Sequence, residues 1–358
     1  MSISATEIET IIKQAALDAG FDLCGIAPAA DSRELGYFPE WIAAGRAAEM
    51  KYMEARDDAG HLKRSSLSRV APWARSAIVC AINYNTADPY STECHDSRRG
   101  WISRYAWSRE DYHDAVLRRL KKIEAKLKEA SPDLATRSYV DTGPIVERVF
   151  AKYAGVGWIG KNTCIINQQK GSWLFLGVIL TSLELQPDIP APDRCGTCTR
   201  CIEACPTDAL VAPYQLDSNK CISYLTIEKR GSIPEDLREG MGHHVYGCDI
   251  CQDVCPWNRK APVTSASEFE ARPGLINPAL DWLAEISAEE FREKFRGSPI
   301  RRAKHSGLRR NAVIAMGNSR NPEFLPLLRE LTCDEDEVVS ESARWASARL
   351  KPSDKSSR

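Results

Sequence analysis

The chain has 358 residues, 43% of them apolar and 27% charged, with a formal net charge of -1. That length and apolar fraction suffice for two or three domains with cores of their own. The near-zero charge excludes a global attraction for nucleic acid or membrane, so any polyanion has to be met by a local patch.

Residues 1–14 (MSISATEIETIIKQ) predict a polar amphipathic helix, with no basic start followed by an apolar core. The longest apolar run, WLFLGVIL at 173–180, is far below the roughly 20 residues that cross a bilayer. The expectation is a soluble, cytoplasmic protein. Up to residue 190, helical stretches alternate with short apolar runs at 77–82 (AIVCAI), 164–166 and 174–180, a pattern of an α/β or α+β domain. Residues 118–128 (RRLKKIEAKLK) alternate cations with Leu117, Leu120, Ile123 and Leu127, which predicts an amphipathic helix with a solvated charged face.

Asp141 ends the short β-like run SYV and precedes a Thr-Gly-Pro turn that opens a helical stretch. Strand ends beside such turns offer side chains to clefts. Asp141 is therefore either a proton donor, with its pKa raised by burial, or a cap for the next helix. Two nearby motifs mislead. GVGWIG at 155–160 matches G-x-G-x-x-G, but a helix-like stretch precedes it and strand-like TCIIN follows, the reverse of a dinucleotide fingerprint. Asp111-Tyr112-His113 begins the D-x-H-x-x-G signature of corrinoid proteins with a histidine lower ligand, yet Val116 stands where glycine is required, so His113 reads as a pocket or surface residue.

A Pro-rich stretch, QPDIPAPDRC, sets a boundary near residue 190, and a cysteine-rich region follows to residue 262. Eight of the 13 cysteines lie between Cys195 and Cys255, a density that points to metal binding in a chain without an export signal. Cys195, Cys198, Cys201 and Cys205 form C-x2-C-x2-C-x3-C-P, the bacterial ferredoxin run whose fourth cysteine serves the other cluster. By the pseudo-twofold logic of two-cluster ferredoxins, Cys255 before Pro256 completes the set of Cys195, Cys198 and Cys201. Cys205, Cys248 and Cys251 then lack a ligand, and Cys221, 27 positions before Cys248, is the unassigned cysteine of the region. Structural zinc sites are the alternative, but they rarely carry the triple run followed by C-P. Cys24, Cys80, Cys94, Cys164 and Cys333 read as ordinary thiols.

Residues 263–358 predict helices at 284–295, 306–316, 323–331 and 337–350 with HEAT-like spacing, too few for a free solenoid and so docked on the rest. Residues 291–310 (FREKFRGSPIRRAKHSGLRR) hold eight Lys or Arg and one acidic residue. This is the patch that the total charge conceals. Arg296, Arg301, Arg302, Lys304, Arg309 and Arg310 are its candidate phosphate contacts.

DYH, YVDTGPIVER, GVGWIGKNT, CGTCTRCIEACPTDAL, CISYLTIE, YGCDICQDVCPWN and GSPIRR occur in this order over almost the whole chain, which thereby resembles epoxyqueuosine reductase. The resemblance implies a cobalamin, two 4Fe-4S clusters and the reaction that completes queuosine at the wobble position of certain tRNAs. It implies Asp141 as proton donor to the leaving oxygen and cob(I)alamin, reduced through the clusters, as nucleophile. Arg64, Arg104, Tyr105, Tyr112, His113, Asp141, Lys161 and Asn162 become candidates for corrinoid contact, and Ser223 and Tyr224 for the route from cluster to cobalt. The implied partners are a tRNA anticodon stem-loop and an external low-potential electron donor, with the enzyme a monomer. The rival readings are a small-molecule reductase of the reductive dehalogenase kind and a ferredoxin-type electron carrier without chemistry of its own.

Overall fold

The structure, a computed structural model, describes residues 5–350, with side chains from Glu7 onward; the first four residues of the predicted N-terminal helix lie outside the described residues. Helix α1 (Ala5–Asp18) leads into strand β1 (Leu23–Pro28), and after a long irregular segment comes β2 (Ser76–Asn83). Helix α2 (Tyr112–Ala130), strand β3 (Thr136–Tyr139), helix α3 (Glu147–Tyr153) and strand β4 (Leu174–Thr181) complete this part. The strands form one sheet in the order β1-β2-β4-β3, with every neighbouring pair antiparallel. Of the two expected classes, the antiparallel sheet makes this part α+β.

All of β2 is buried, and its side chains alternate between two cores. Ile78, Cys80 and Ile82 pack with α1 and α2, whereas Ala77, Val79 and Ala81 pack with α3. Helices on both faces explain the uninterrupted apolar run, since a period-two strand needs alternation only when one face is wet. Helix α2 lies so close to β4 that a Cβ on Gly177 would meet Leu120 and Val116 at 2.9 and 3.0 Å. In GVGWIG, residues Trp158–Ile159 form a strand paired with Ile165–Ile166, so the glycines belong to a hairpin and not to a phosphate-binding turn.

The cysteine region contributes short helices at Arg200–Glu203 and Ile250–Asp253, helix α4 (Ile222–Ile227), and a strand, His244–Tyr246, that pairs in parallel with Trp101–Ile102. The helical part holds α5 (Leu280–Glu285), α6 (Ala288–Lys294), α7 (Lys304–Ser319), α8 (Leu325–Leu331) and α9 (Glu337–Leu350). The helix predicted at 284–295 is broken because Ser287 caps α6, its Oγ accepting the Glu290 N–H at 3.1 Å. Helix α7 is central. Leu308, Ala312, Val313 and Met316 share a core with Trp101, Ile102 and Trp107, so the segment before α2 is packed into the helical part.

Arg310 lies in that interior, 1% exposed. Its guanidinium donates to the carbonyls of Leu225, Lys229 and Gly231 at 2.8, 3.0 and 2.7 Å, while Asn311 Nδ2 donates to those of Thr226 and Val245. The expectation that Arg310 meets phosphate is thus corrected: it fastens α7 to α4 and the loop after it, and Asn311 adds the strand that follows. Asp249, between Cys248 and Cys251, makes the complementary tie. Its buried carboxylate accepts from Trp101 Nε1 at 3.0 Å, the Arg104 N–H at 2.8 Å and the Ser103 hydroxyl. Replacing Asp249 by alanine strands three buried donors, so the cluster-loaded protein is expected to lose about 3 kcal/mol of stability. A denaturation midpoint equal to wild type would show that the tie is dispensable.

Candidate active site

Strand β3 delivers the chain to Asp141, which adopts a left-handed conformation (φ 56°) held by a tight turn in which the Thr142 N–H donates to the Val140 carbonyl at 2.6 Å. Such backbone conformations in a non-glycine residue are uncommon and concentrate at functional sites. The Asp141 side chain is 68% exposed yet surrounded by protein atoms, as at the floor of a cleft. Its Oδ2 accepts from the Tyr112 hydroxyl at 3.0 Å and lies 3.5 Å from His113 Nε2. His113 Nδ1 is 2.7 Å from Asp111 Oδ1, and Asp111 also caps α2 by accepting the His113 backbone N–H. Asp111, His113 and Asp141 form one line of hydrogen-bonding groups.

This arrangement corrects the expectation of a carboxyl kept neutral by burial. The His113 and Tyr112 hydrogen bonds hold Asp141 below the usual carboxylate range despite desolvation. Burial pulls His113 down, but the two carboxylates win and push it up to about 9. Near neutral pH the proton therefore sits on the imidazole. Glu147, close by, has its carboxyl pushed up to about 7, first by burial and then by Asp141, and its Oε1 is buried without a hydrogen-bond partner among the described residues.

An aromatic wall runs from this carboxylate to the cysteines. Tyr112 stacks on Phe175 of β4 at 4.4 Å and meets Tyr105 edge-on at 5.9 Å. Tyr105 donates to the Tyr246 hydroxyl at 3.0 Å, and Tyr246 donates to the Pro299 carbonyl at 2.6 Å. Gly247 follows with φ 70° because a Cβ there would stand 2.4 Å from that of Ser103, and Cys248 comes next. The thiols sort into two groups by their electrostatic neighbours. Cys201 is raised by burial and then by Cys195 and Cys198, and Cys255, pushed up to about 11 by burial, by Cys195 and Cys201. Cys248 is raised by burial and by Cys221 and Cys205; Cys251 has Cys248 and Cys221 among its neighbours. Partly buried thiols that raise one another's pKa in this way suit metal, which takes the place of their protons.

Several predicted contacts turn out to be fastenings. Arg104 is 2% exposed, donates to the carbonyls of Thr86, Asp88 and Pro89, and lies over the rings of Tyr90, Trp107 and Trp173. Arg64 is buried and bridges the carbonyls of Tyr52 (2.6 Å) and Gly143 (3.0 Å), pinning the loop that carries Asp141. Lys161 Nζ donates to Gly196 and Cys198, and Asn162 Nδ2 to Cys251, so the GKN turn braces both cysteine loops. Ser223 and Tyr224 reach Cys221 through their backbone N–H groups, and the Tyr224 hydroxyl accepts from the Glu49 N–H. Arg309 is used by the Ala284 carbonyl and Asp334. Arg296, Arg301, Arg302 and Lys304 remain exposed.

Of these, Arg302 lies within electrostatic range of Asp141. It pairs with Glu228 at 2.9 Å, lies 5.3 Å from the ring centre of half-exposed Tyr52, and is close enough for Asp141 to raise its pKa. Tyr52, Glu147 and Asp249 escaped the sequence reading, although Glu147 stands within YVDTGPIVER and Asp249 within CDIC. Cys164, read as an ordinary thiol, hydrogen-bonds to Cys251.

An acid-base cleft joined by an aromatic wall to two cysteine sets defines an iron-sulfur oxidoreductase. Residues 194–258 match the family described as 4Fe-4S double cluster binding domain, and residues 64–142 the family described as epoxyqueuosine reductase QueG, DUF1730. An epoxyqueuosine reductase of Xanthomonas campestris is 39% identical over 96% of this chain and 96% of its own length. One from Synechocystis is 45% identical, with 80% and 98% covered. The chain belongs to the epoxyqueuosine reductase family. Its fold is similar to that of an epoxyqueuosine reductase crystallised with an epoxyqueuosine-modified tRNA-Tyr stem loop (TM-score 0.88, 32% identity, 98% of this chain and 92% of that one). It is also similar to a Bacillus subtilis epoxyqueuosine reductase whose catalytic loop is swung out of the active site (TM-score 0.85, 31% identity, 98% and 92% covered).

The His113 pair makes a pH prediction. By NMR, His113 is expected to titrate near 9 and, in Asp141→Asn, to move down toward the free value of 6.5. Because the folded pKa is raised, the stabilisation is full below about 6.5 and fades as pH rises through about 9. A wild-type midpoint at the free value would mean that the pair does not form.

Proposed function

We propose that the chain reduces epoxyqueuosine to queuosine at the wobble position of tRNA, with electrons passed through two 4Fe-4S clusters to a bound cobalamin. One cluster is held by Cys195, Cys198, Cys201 and Cys255, the other by Cys205, Cys221, Cys248 and Cys251. The observation that carries this reading is the convergence on Asp141 of three parts: the His113 proton, the Tyr112-Tyr105-Tyr246 wall that ends at Cys248, and Arg302 from the helical part.

The residues of the cleft suit a corrinoid. Glu147 Oε1 is a buried acceptor with no protein donor, which an amide N–H of the corrin rim would satisfy. Tyr112, Tyr105 and Tyr52 give the apolar surface that such a ring requires. When bound there, reduced cobalamin would supply an electron-rich, nucleophilic metal suited to epoxide opening. The chain's own part is proton management. Removing the epoxide oxygen as water consumes two electrons and two protons. Asp141 faces the open cleft and, ionised at rest, relays to the departing oxygen the proton that His113 holds, with Asp111 stabilising the imidazolium; solvent supplies the second proton. Arg64 keeps the Asp141 loop closed through Gly143.

For tRNA, Arg296, Arg301, Arg302 and Lys304 make phosphate contacts that position the stem while the wobble base is extruded toward Asp141. The division of labour follows the chain: residues 1–190 for chemistry, 191–262 for electrons and 263–358, with HEAT-like packing, for RNA.

The test is anaerobic turnover of epoxyqueuosine-tRNA by cluster-loaded enzyme with cobalamin and reductant, followed by nucleoside mass measurement. Cobalamin-dependent loss of one oxygen is expected, and Asp141→Asn should turn over about 10²–10⁴-fold more slowly while cobalamin binding is kept. Full turnover by that variant would remove Asp141 from the mechanism. Separately, Arg301→Ala and Arg302→Ala should each weaken stem-loop binding and flatten its salt dependence by about one unit of slope. Arg310→Ala should instead lower the melting temperature, and a reversal of this pattern would refute the assignment.

A further inference from the structure

The cysteine module has an outer face that the cleft does not use. A shallow depression between the two short helices is lined by Arg200, Glu203, Ala204, Val254 and Arg259. Three of these adjoin cluster cysteines in the chain: Arg200 precedes Cys201, Ala204 precedes Cys205 and Val254 precedes Cys255. Arg194 and Lys260 lie one residue from Cys195 and Arg259. All four cations are exposed, and among the described residues none has a side-chain ion pair or hydrogen bond. The carboxylates on the same segments are engaged locally: Asp193 accepts from Tyr214 and the Cys195 N–H, and Glu203 from Thr199. The protein neutralises some of its cations, as at Arg119 with Glu268 and Arg309 with Asp334. Here it leaves them free.

The position separates this face from the RNA cleft. Cys248 adjoins the aromatic wall that ends at Asp141, whereas Cys195 and Cys255 pack with Trp158, Ile166 and Trp257. A polyanion seated over Arg200 and Arg259 would leave the wobble base far along the chain of contacts from Asp141. A protein that delivers electrons needs the opposite, namely closeness to a cluster and no interference with bound RNA.

We propose that the face of Arg200 and Arg259, with Arg194 and Lys260 next to it in the chain, docks an acidic one-electron carrier protein of the flavin or iron-sulfur class, which feeds the cluster of Cys195, Cys198, Cys201 and Cys255 first. This rests on the reading that the cysteines hold clusters. In each encounter the carrier is oxidised by one electron and the cluster reduced by one; two encounters supply the two electrons that leave with the epoxide oxygen. Opposite charges steer such encounters and make them salt-sensitive.

The experiment follows cluster bleaching by stopped-flow in the full, cluster-loaded enzyme, with reduced flavodoxin as the acidic carrier and dithionite as the small reductant. Wild-type reduction by flavodoxin should slow with added salt. The Arg200→Glu, Arg259→Glu double variant should be slower by about tenfold or more, while dithionite bleaches both proteins alike and stem-loop binding is unchanged. A flavodoxin rate indifferent to both salt and charge reversal overturns the proposal, and so does weakened stem-loop binding with an unchanged flavodoxin rate, which would assign the face to RNA. A double variant that loses its clusters leaves the wild-type salt dependence to decide. Wild-type protein without cluster absorbance, or not bleached by dithionite, would instead sink the underlying cluster reading.

Discussion

The buried carboxylate of Asp249 is the constraint on which the rest of the molecule depends. It stands between two cysteines of one set and accepts from the indole of Trp101, the hydroxyl of Ser103 and the backbone of Arg104. The segment 101–104 is held on its other side by the Arg104 guanidinium, caged by three aromatic rings and three carbonyls. Tyr105 is therefore set in position by rigid neighbours, and with it the contacts to Tyr112 and Tyr246. Burial pushes Asp249 up toward its neutral form, and the three donors oppose that without cancelling it. The carboxylate is worth its desolvation because one group orients a cysteine turn, a strand pairing and the aromatic wall together.

That wall links the turn at Cys248 to the carboxylate that His113 also meets. Tyr112 hydrogen-bonds to Asp141 and, through Tyr105, leads to Tyr246 and the turn at Cys248. Its neighbour in the chain, His113, holds the proton. Both side chains come from the first turn of α2, whose cap, Asp111, is the same carboxylate that stabilises the imidazolium. One helix start thus serves as structural cap, proton store and aromatic bridge. Arg302 of the helical part meets Tyr52 of the N-terminal part, 5.3 Å from its ring centre.

What was legible in the sequence was whatever is carried by spacing. Cysteine intervals marked the cluster module, period-two and unbroken apolar runs marked β2 and β4, and the order of helix and strand around GVGWIG excluded a dinucleotide turn. The role of an individual charged side chain was not legible, because an arginine that meets solvent and one that fastens two segments are spelled alike. Arg310 sits in a run of cations, and only the packing of α7 against α4 reveals that it points inward to three carbonyls. Arg64, Arg104, Lys161 and Asn162 share this fate: each lies in a motif near the site and each spends its donors on backbone oxygens. The break at Ser287 escaped because a cap competes with an otherwise continuous apolar period.

The charge state of Asp141 bears on how such a site can act as an acid. A carboxyl kept neutral by an apolar pocket needs that pocket before substrate arrives, and an open cleft cannot provide it. Here the carboxylate is 68% exposed and ionised. The proton is stored on His113, which is half-buried and sandwiched between two carboxylates, so it survives at neutral pH without any water-free enclosure. Filling the cleft with a corrin ring and a base would strip water from Asp141 while leaving Asp111 beneath His113. Desolvation penalises the ionised carboxyl that faces the ligands more than the imidazolium still paired with Asp111. In the proposed reaction the affinities of the two groups for the proton would then draw together, and transfer toward the departing oxygen would become easy when the cleft is filled and not before.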